Sequence, residues 1–413
     1  MFNTPLWRTI TGPQGDFIMK ILWHSTAPWS PSSYSVLTAR TVPGIVRDGH
    51  TVSVGTWYGL QGNPLPWTIP GKNGKDTTQV TVFPSGDGPN FSQDVIIGLY
   101  RYVQADALIV CSDVWPFKPN ITSGTQFCPW LPVDMEPIPD PVLESLEPAI
   151  YPMCYSKWGT GLLNEAGVKA HYVPCSADGK MFKPGDKKIA RETLALPEDT
   201  DFLVSVVGAN KDPQDRKGLT AALAAFAQFI PDHPNAYLYL HTRWDGPIDI
   251  TSLIARLGLQ DRIIRPDPIG YKMGMLDTAY MVSVYQASDV LLNLAKSEGF
   301  GLPILEAQMC GTPVIATDFA TTDELLWAGW KIPGSPDWAA GLNSWRLAPD
   351  IGKAVEALKE AYQNRDNKAL ATDARKGAMS LDTTWVHKKF WRPALADIEK
   401  MVFAKSPVLM GAA

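Results

Sequence analysis

Two carboxylates flank a glycine turn in the stretch SEGFGLPILEAQMCGTPVIATD, which covers residues 297–318. Gly299 and Gly301 permit a tight turn, and the apolar residues after them predict a short helix. The free N–H groups where such a helix begins favour a phosphate or sugar hydroxyls. Because the carboxylate of Glu298 would repel a bare phosphate, we expect Glu298 and Glu306 to hold hydroxyl groups. The stretch therefore predicts a ligand that carries both phosphate and sugar.

Further candidate side chains lie in predicted loops of the first half of the chain. Asp113 follows the apolar run at 105–111, and ligands of open α/β sheets bind beyond the carboxyl ends of the strands. We therefore expect Asp113 to line a cleft. Asp134, in the segment WLPVD, fits a structural loop residue and an acceptor contact equally well. Trp29 and Trp115, in loops predicted to face the same cleft, are candidates for a platform that binds an acceptor.

Apolar runs alternate with helical patterns along the chain, which is typical of parallel α/β sheets. In the first half we predict strands at 19–24 and 105–111, a helix at 33–48 and a mostly irregular proline-rich region at 116–148. In the second half we predict strands at 201–208, 236–241, 290–294 and 312–317, and helices at 218–229 and 273–287. The pattern predicts two doubly wound domains of the α/β class.

A lysine-rich segment at 180–191 separates the two series and marks a domain boundary. We divide the chain into an N-terminal arm (1–18), a first Rossmann-like domain on the acceptor side (19–185), a second Rossmann-like domain that binds the nucleotide-sugar (186–378) and a C-terminal crossover helix and tail (379–413).

The overall composition excludes several classes of protein. A net charge of −5 over 413 residues gives no reason to expect a nucleic-acid or membrane surface. The five cysteines form no CxxC pair or metal-ligand cluster, which favours a reduced compartment. No apolar run reaches the roughly 18 residues that a membrane span needs. We therefore expect a soluble cytoplasmic protein that binds no metal, and its oligomeric state stays open.

The segments SVVGA, RKG and EGFGLPILE, in this order, resemble the nucleotide-binding half of GT-B glycosyltransferases, specifically the retaining family 4 group. The similarity covers most of the chain from Met19 onward and is strongest between 201 and 326. It implies the GT-B fold, in which two Rossmann-like domains face each other across a cleft and a C-terminal helix crosses back to the first domain.

The resemblance also implies roles for individual residues. It assigns Glu298 to the donor sugar and Glu306 to the ribose hydroxyls. Glu298 and Asp113, which lines the cleft, are the implied catalytic residues. Arg216 and Lys217 would neutralise the diphosphate. The remaining donor-side positions are the turn that begins the helix and three residues of other loops: Gly299, Phe300, Gly301, Leu302, Ser33, Tyr34 and Ile269.

The predicted activity is transfer of a hexosyl group from a nucleotide-sugar to an unknown acceptor, with retention of the anomeric configuration. The acceptor is a small molecule, a glycan, a protein or a nucleic acid. A UDP-sugar is favoured as donor, and no cofactor or metal is expected.

A dinucleotide-binding oxidoreductase is disfavoured, because the loop after the first strand has no GxGxxG. A non-catalytic nucleotide-sugar-binding module stays open, because that loop reads SSYS where relatives have glycines. The loops rich in Pro and Trp also resemble phage-encoded enzymes that glycosylate DNA or virion proteins, acting in the host cytoplasm.

Overall fold

The computed structural model describes residues 18–88 and 90–404. The predicted N-terminal arm, 1–18, lies outside the described residues except for its last position.

The first sheet has eight strands in the order β3-β4-β2-β1-β5-β6-β7-β8. All neighbours in it are parallel except β3 and β4, which are antiparallel. Its strands are β1 (Lys20–Ser25), β2 (Thr51–Thr56), β3 (Leu65–Pro70), β4 (Thr77–Phe83), β5 (Ala107–Cys111), β6 (Phe127–Leu131), β7 (Met153–Cys154) and β8 (His171–Tyr172). The helices between them are α1 (Ser33–Arg47), α2 (Gln93–Tyr102), α3 (Pro119–Thr122), α4 (Asp140–Leu146) and α5 (Lys157–Glu165).

Both faces of this sheet are covered, as the continuous apolar strands require. Successive side chains of a strand point to opposite faces. Along β1, Ile21 and Trp23 belong to one apolar cluster, whereas Leu22 belongs to the cluster on the other side. The sheet is therefore doubly wound.

The second sheet has six parallel strands in the order β11-β10-β9-β12-β13-β14. They are β9 (Phe202–Val207), β10 (Ala236–His241), β11 (Ile263–Ile264), β12 (Val290–Asn293), β13 (Val314–Thr317) and β14 (Gly329–Ile332). Its helices are α6 (Lys187–Thr193), α7 (Leu219–Phe229), α8 (Ile250–Arg256), α9 (Pro268–Lys272), α10 (Thr278–Ala287), α11 (Leu302–Met309), α12 (Thr322–Leu325), α13 (Ile351–Gln363) and α14 (Lys368–Ala378). A separate antiparallel hairpin, β15 (Gly334–Ala339) and β16 (Ser344–Pro349), precedes α13.

The C-terminal segment returns to the first domain. It consists of α15 (Thr383–Val386), a π-helical turn and α16 (Arg392–Phe403). Trp391 packs against Trp23 and Trp130 of the first sheet. Asp48, at the end of α1, accepts hydrogen bonds from the Arg392 guanidinium at 2.7 and 2.9 Å. The predicted architecture of two doubly wound domains with a crossing C-terminal helix is confirmed.

Two predicted regions differ in detail from the structure. Slightly more than half of the region 116–148 lies outside helices and strands, as predicted, but the region also contains α3, α4 and the unpredicted strand β6, whose five residues are all buried. Pro129 obscured this strand, since a proline cannot donate to a ladder. The carbonyl of Gln126, directly before β6, faces β5. Because the backbone groups of successive strand residues point to opposite sides, the backbone of Pro129 faces β7, which pairs only with Trp130 and Leu131. The missing N–H is tolerated there.

The helix predicted at 273–287 is α10, which begins only at Thr278, and the short helix α9 before it was not predicted. Gly274 adopts φ +68° and separates the two helices. Asp277 then caps α10 by accepting from the Tyr280 N–H at 2.9 Å. The apolar residues of 273–276 extend the pattern of α10 towards its N-terminus, which is why the predicted helix begins too early.

Candidate active site

Five of the predicted site residues lie beyond the carboxyl ends of strands in the two sheets. Asp113 follows β5 and Asp134 follows β6, whereas Arg216 and Lys217 follow β9 and Glu298 follows β12. Parallel strands place the loops after them at one edge of a sheet. The two edges face each other, because side chains from one domain contact side chains from the other at this place.

Glu298 and Lys217 form an ion pair at the centre of the site. The Lys217 Nζ donates to both carboxylate oxygens of Glu298, at 2.8 and 2.7 Å, and the Glu298 side chain is only 12% exposed. Burial acts to raise the pKa of Glu298, but the charges of Lys217 and Arg216 outweigh it and hold that pKa below its ordinary value. Burial lowers the pKa of Lys217. The carboxylate is therefore ionised near neutral pH.

A glycine explains why Lys217 reaches this position. Gly218 begins α7 with φ +63°, and a Cβ there would lie 1.8 Å from the carbonyl oxygen of Leu294. Only glycine permits so close an approach. The backbone of the loop after β9 is thereby pressed against the end of β12, which brings Lys217 to Glu298.

Arg216 connects the two domains. Its Nη1 donates to the carbonyl of Ser297 at 2.9 Å and lies 3.4 Å from the Asp134 carboxylate and 3.9 Å from that of Glu298. Burial acts to lower the pKa of Arg216, and the surrounding carboxylates raise it above its ordinary value. The pair with Asp134 is an interdomain contact, because Asp134 belongs to the first domain and Arg216 to the second.

Asp113 is held by a tyrosine of α1. The Tyr34 hydroxyl donates to Asp113 Oδ2 at 2.7 Å. Burial raises the pKa of Asp113, and the hydrogen bond from Tyr34 opposes that shift. Ser32 caps α1 by accepting from the Ser35 N–H at 3.1 Å. The SSYS segment thus forms a helix start next to the carboxylate rather than a glycine loop.

The turn before α11 lies against the first domain. Gly301 has φ +99° and directly precedes the helix, and Gly299 lies so close to Pro132 that a Cβ would come within 2.3 Å of the Pro132 Cβ. Phe300 is buried and anchors the turn. In the first turn of α11, Pro303 has no N–H, and the N–H groups of Ile304 and Leu305 donate to the Gly301 carbonyl at 3.0 and 3.2 Å. An anion at this helix start would therefore be met by the Leu302 N–H and by the N–H groups of the turn before it.

Glu306 lies in a second interdomain cluster that the sequence analysis did not foresee. Arg40 of α1 donates to Glu306 Oε1 at 2.6 Å and to the carbonyl of Ser176 at 2.9 Å. The Tyr285 hydroxyl donates to the other oxygen, Oε2, at 3.0 Å. Both oxygens of Glu306 therefore have partners, and its contact with ribose stays a prediction. Arg40 was missed because nothing in the pattern of α1 distinguishes it from a surface cation.

The remaining predicted residues are on the surface. Ser33 is exposed at the start of α1. Ile269, in α9, is 66% exposed, and Trp29 and Trp115 are each about half exposed. The Trp29 indole donates to the Gly59 carbonyl at 3.0 Å, which fixes its ring. Their donor and acceptor roles stay predictions.

Residues 186–329 match the family model described as "Glycosyl transferases group 1". The matched stretch contains Arg216, Lys217, Glu298 and Glu306. A D-inositol 3-phosphate glycosyltransferase of Segniliparus rotundus is 34% identical over 210 residues, which are 48% of this chain and 43% of the relative. The chain thus spans less than half the length of this curated relative.

Solved structures are similar over both domains. A sucrose-phosphate synthase from Thermosynechococcus elongatus superposes with a TM-score of 0.69 at 17% identity, covering 92% of this chain and all of that one. An Anabaena protein solved in complex with UDP-glucose superposes with a TM-score of 0.66 at 14% identity, again covering 92% of this chain and all of that one. These similarities establish the fold as GT-B.

The described part of the chain contains neither a cluster of metal-binding side chains nor a helix that could span a membrane. No group of three or more His, Cys, Asp or Glu side chains among the described residues is arranged to hold a metal ion. None of the helices in 18–88 and 90–404 is long and apolar enough to cross a membrane.

Proposed function

We propose that the chain transfers a hexosyl group from a nucleotide diphosphate sugar, with a UDP-sugar as the favoured donor, to a hydroxyl group of an acceptor. The observation that carries the proposal is the interdomain cluster at the start of α11. It combines two cations, a helix start and a buried carboxylate at one place, and a sugar linked to a diphosphate is the ligand that needs all three.

Each part of the cluster has a role in this reaction. Lys217 and Arg216 stabilise the negative charge that develops on the leaving diphosphate, together with the Leu302 N–H and the N–H groups of the turn before α11. Glu298 binds a hydroxyl of the donor sugar and stabilises the positive charge that develops at the anomeric carbon. The carboxylate of Glu306 binds the ribose hydroxyls while it also accepts the hydrogen bond from Arg40. Two solved structures of the same fold contain UDP or UDP-glucose, which supports this choice of donor.

The proposed reaction retains the anomeric configuration. The bond from the anomeric carbon to the phosphate oxygen breaks, and the acceptor oxygen bonds to the same face of the sugar. The proton of the acceptor hydroxyl passes to the leaving phosphate oxygen, so that nucleoside diphosphate and glycoside are the products. Asp113 and Asp134 line the acceptor side of this step. No metal is needed, because cations of the chain meet the diphosphate.

Calorimetric titration with UDP and with uridine tests the donor site. We expect UDP to bind and uridine to bind at least about tenfold more weakly, since charge-assisted contacts to phosphate contribute about 1.5–3 kcal/mol. Lys217→Ala should weaken UDP binding and leave uridine binding unchanged. Equal losses for both ligands would remove Lys217 from the diphosphate site.

Incubation with a UDP-sugar and an acceptor library tests the reaction. Proton NMR of the first-formed product reports its anomeric configuration, and chelation of divalent metal with EDTA should leave the rate unchanged. Binding of UDP-sugar without transfer or hydrolysis would instead support a non-catalytic nucleotide-sugar-binding module. The hydrogen bond that the Tyr34 hydroxyl donates to Asp113 favours that alternative, because one oxygen of this carboxylate already has a partner.

A further inference from the structure

Arg346 of the hairpin β15–β16 joins that hairpin to the loop that carries Arg216. Its side chain is only 3% exposed, and it lies on β16 opposite Asp337 of β15. The Arg346 Nη2 donates to the Asp337 carboxylate at 2.8 Å and to the Gln214 side-chain oxygen at 2.9 Å. Its Nη1 lies 3.6 Å from the carboxylate of Asp212. One buried guanidinium therefore contacts side chains of both the hairpin and the loop after β9.

The same contacts fix the backbone at Arg216. The Asp212 carboxylate accepts from the Gln214 N–H at 2.9 Å and from the Arg216 N–H at 3.2 Å. In the loop after β12, the Lys296 N–H donates to the Arg216 carbonyl at 2.8 Å, and the Lys296 carbonyl accepts from the Leu347 N–H of β16 at 3.0 Å. The N–H and the carbonyl of Arg216 are thus both connected to the hairpin, each through one intermediate residue. The direction in which the Arg216 side chain leaves the backbone therefore depends on the hairpin.

The hairpin also holds the segment that carries the first-domain partner of Arg216. The Trp345 N–H donates to the Glu136 carbonyl at 2.8 Å, and the Glu136 N–H donates to the Trp345 carbonyl at 3.3 Å. Asp134, whose carboxylate lies 3.4 Å from the Arg216 guanidinium, comes shortly before Glu136 in the chain. The hairpin is therefore bound to both sides of the interdomain ion pair.

The shape of the Arg346 side chain matters as much as its charge. A guanidinium is planar and directs several N–H donors in a fixed geometry, whereas a lysine ammonium is a compact point charge. A lysine at this position would keep the charge but could not contact Asp337, Gln214 and Asp212 at once. None of these three partners belongs to the predicted donor site, so an effect of Arg346 on a bound diphosphate has to pass through the loop that carries Arg216.

We propose that Arg346 is a positioning residue for the donor site, because it fixes the loop that presents Arg216 to the diphosphate. A cation that is already held in place binds a phosphate without the loss of loop and side-chain entropy that ordering it would require. Since the hairpin also binds the first domain, contact between the two domains strengthens the diphosphate site. This inference rests on the proposed function, in which Arg216 binds the diphosphate.

Calorimetry of Arg346→Lys with UDP and with uridine tests the inference. The variant keeps the positive charge, so the long-range attraction between position 346 and a diphosphate is unchanged. We expect UDP affinity to fall by about three- to tenfold, because Arg216 is no longer held in place, and uridine affinity to equal that of the wild type. A role of Arg346 in folding alone would leave the ratio of the two affinities unchanged.

Arg191→Lys is the matched control. The Arg191 guanidinium is also largely buried in the second domain and donates to the Asp289 carboxylate at 2.7 Å and to the carbonyls of Thr200 and Ala287 at 2.9 and 3.3 Å. These partners precede β9 and β12, at the edge of the sheet opposite to the candidate active site. Arg191→Lys should therefore lower the free energy of unfolding and leave the ratio of UDP to uridine affinity unchanged.

A double-mutant cycle shows whether Arg346 acts through Arg216. Arg216→Ala should weaken UDP binding, and the addition of Arg346→Lys should cause no further loss. An unchanged ratio of UDP to uridine affinity in Arg346→Lys, or a further loss of similar size in the Arg216→Ala background, would overturn the inference. If Arg346→Lys does not fold, Gln214→Met takes its place in the same measurements, because Gln214 is exposed and its side chain bonds only to the hairpin.

The same titrations separate this inference from the proposed function. A wild-type chain that does not bind UDP, or an Arg216→Ala variant with unchanged UDP affinity, contradicts the proposed function. A loss of UDP affinity in Arg216→Ala without a selective loss in Arg346→Lys contradicts only the positioning role of Arg346.

Discussion

Replacement of Glu298 by glutamine separates donor binding from sugar transfer. The change keeps the size of the side chain and one acceptor oxygen but removes the charge that pairs with Lys217 at 2.7 Å. With an effective dielectric constant of about 20, this pair interacts by about 6 kcal/mol before desolvation is subtracted. Because the neutral amide leaves Lys217 without its main partner, the freed ammonium group becomes available to a diphosphate.

Two opposite effects are therefore expected in Glu298→Gln. UDP affinity should stay the same or increase, since the carboxylate of Glu298 no longer competes with the diphosphate for Lys217. Sugar transfer should fall by about 10²-fold, or about 2.7 kcal/mol in the activation free energy, because a preorganised charge at the reacting sugar is lost. Folding stability should fall by about 1–3 kcal/mol, since a largely buried cation loses its partner.

The assay measures UDP affinity by calorimetry, transfer by mass spectrometry and unfolding by urea on one preparation. Glu356→Gln is the matched control, because Glu356 forms only an exposed pair with Lys353 at 2.7 Å, and its values should match the wild type. A loss of UDP affinity as large as the loss of rate would refute the role given to Glu298, and so would normal transfer.

Three further changes test other contacts. Asp134→Asn should raise UDP affinity by roughly two- to fivefold, because the partly exposed carboxylate no longer competes for Arg216; unchanged or weaker UDP binding in calorimetry would contradict this competition. Asp48→Asn should lower the free energy of unfolding by about 2 kcal/mol at pH 7, because Asp48 loses its charge-assisted bonds to Arg392. Burial acts to raise the pKa of Asp48, but the hydrogen bonds and charges of His387 and Arg392 hold it below its ordinary value. This stability is therefore complete above about pH 3.9, where the unfolded carboxyl titrates, and declines as the pH falls below that value towards the lower native pKa; a urea-unfolding difference as large at pH 2 as at pH 7 would argue against an electrostatic cause. Burial lowers the pKa of His24 from 6.5 to about 4, so the neutral imidazole contributes fully to the free energy of unfolding above pH 6.5, and about 3 kcal/mol of that free energy is lost as the pH falls from 6.5 through 4. His24→Gln should flatten this part of the pH dependence of unfolding; an unchanged slope would exclude His24 as its source.

The sequence determined much of the second domain, because the signals there are local. Gly218, Gly299 and Gly301 occupy positions where backbone approach or a positive φ requires glycine. The apolar runs of β9 and β10 are parallel strands in the sheet. Such features depend on neighbouring residues alone, and a pattern of residue types records them. They were sufficient to predict the doubly wound fold and the turn and helix that carry Glu298 and Glu306, whereas Arg216 and Lys217 were assigned from the family resemblance and their pairing with Glu298 was not predicted.

Only the tertiary structure decided which groups meet across the two domains. Arg40 and Glu306 are 266 positions apart in the chain and form an ion pair, and Glu136 lies opposite Trp345 although 209 residues separate them along the chain. A pattern within one segment carries no information about the register of a distant segment, since that register is set by how the two sheets and the crossing C-terminal helix pack together. The partners of Glu306 and the pairing of Arg216 with Asp134 therefore follow from the packing of the domains and not from any local signal.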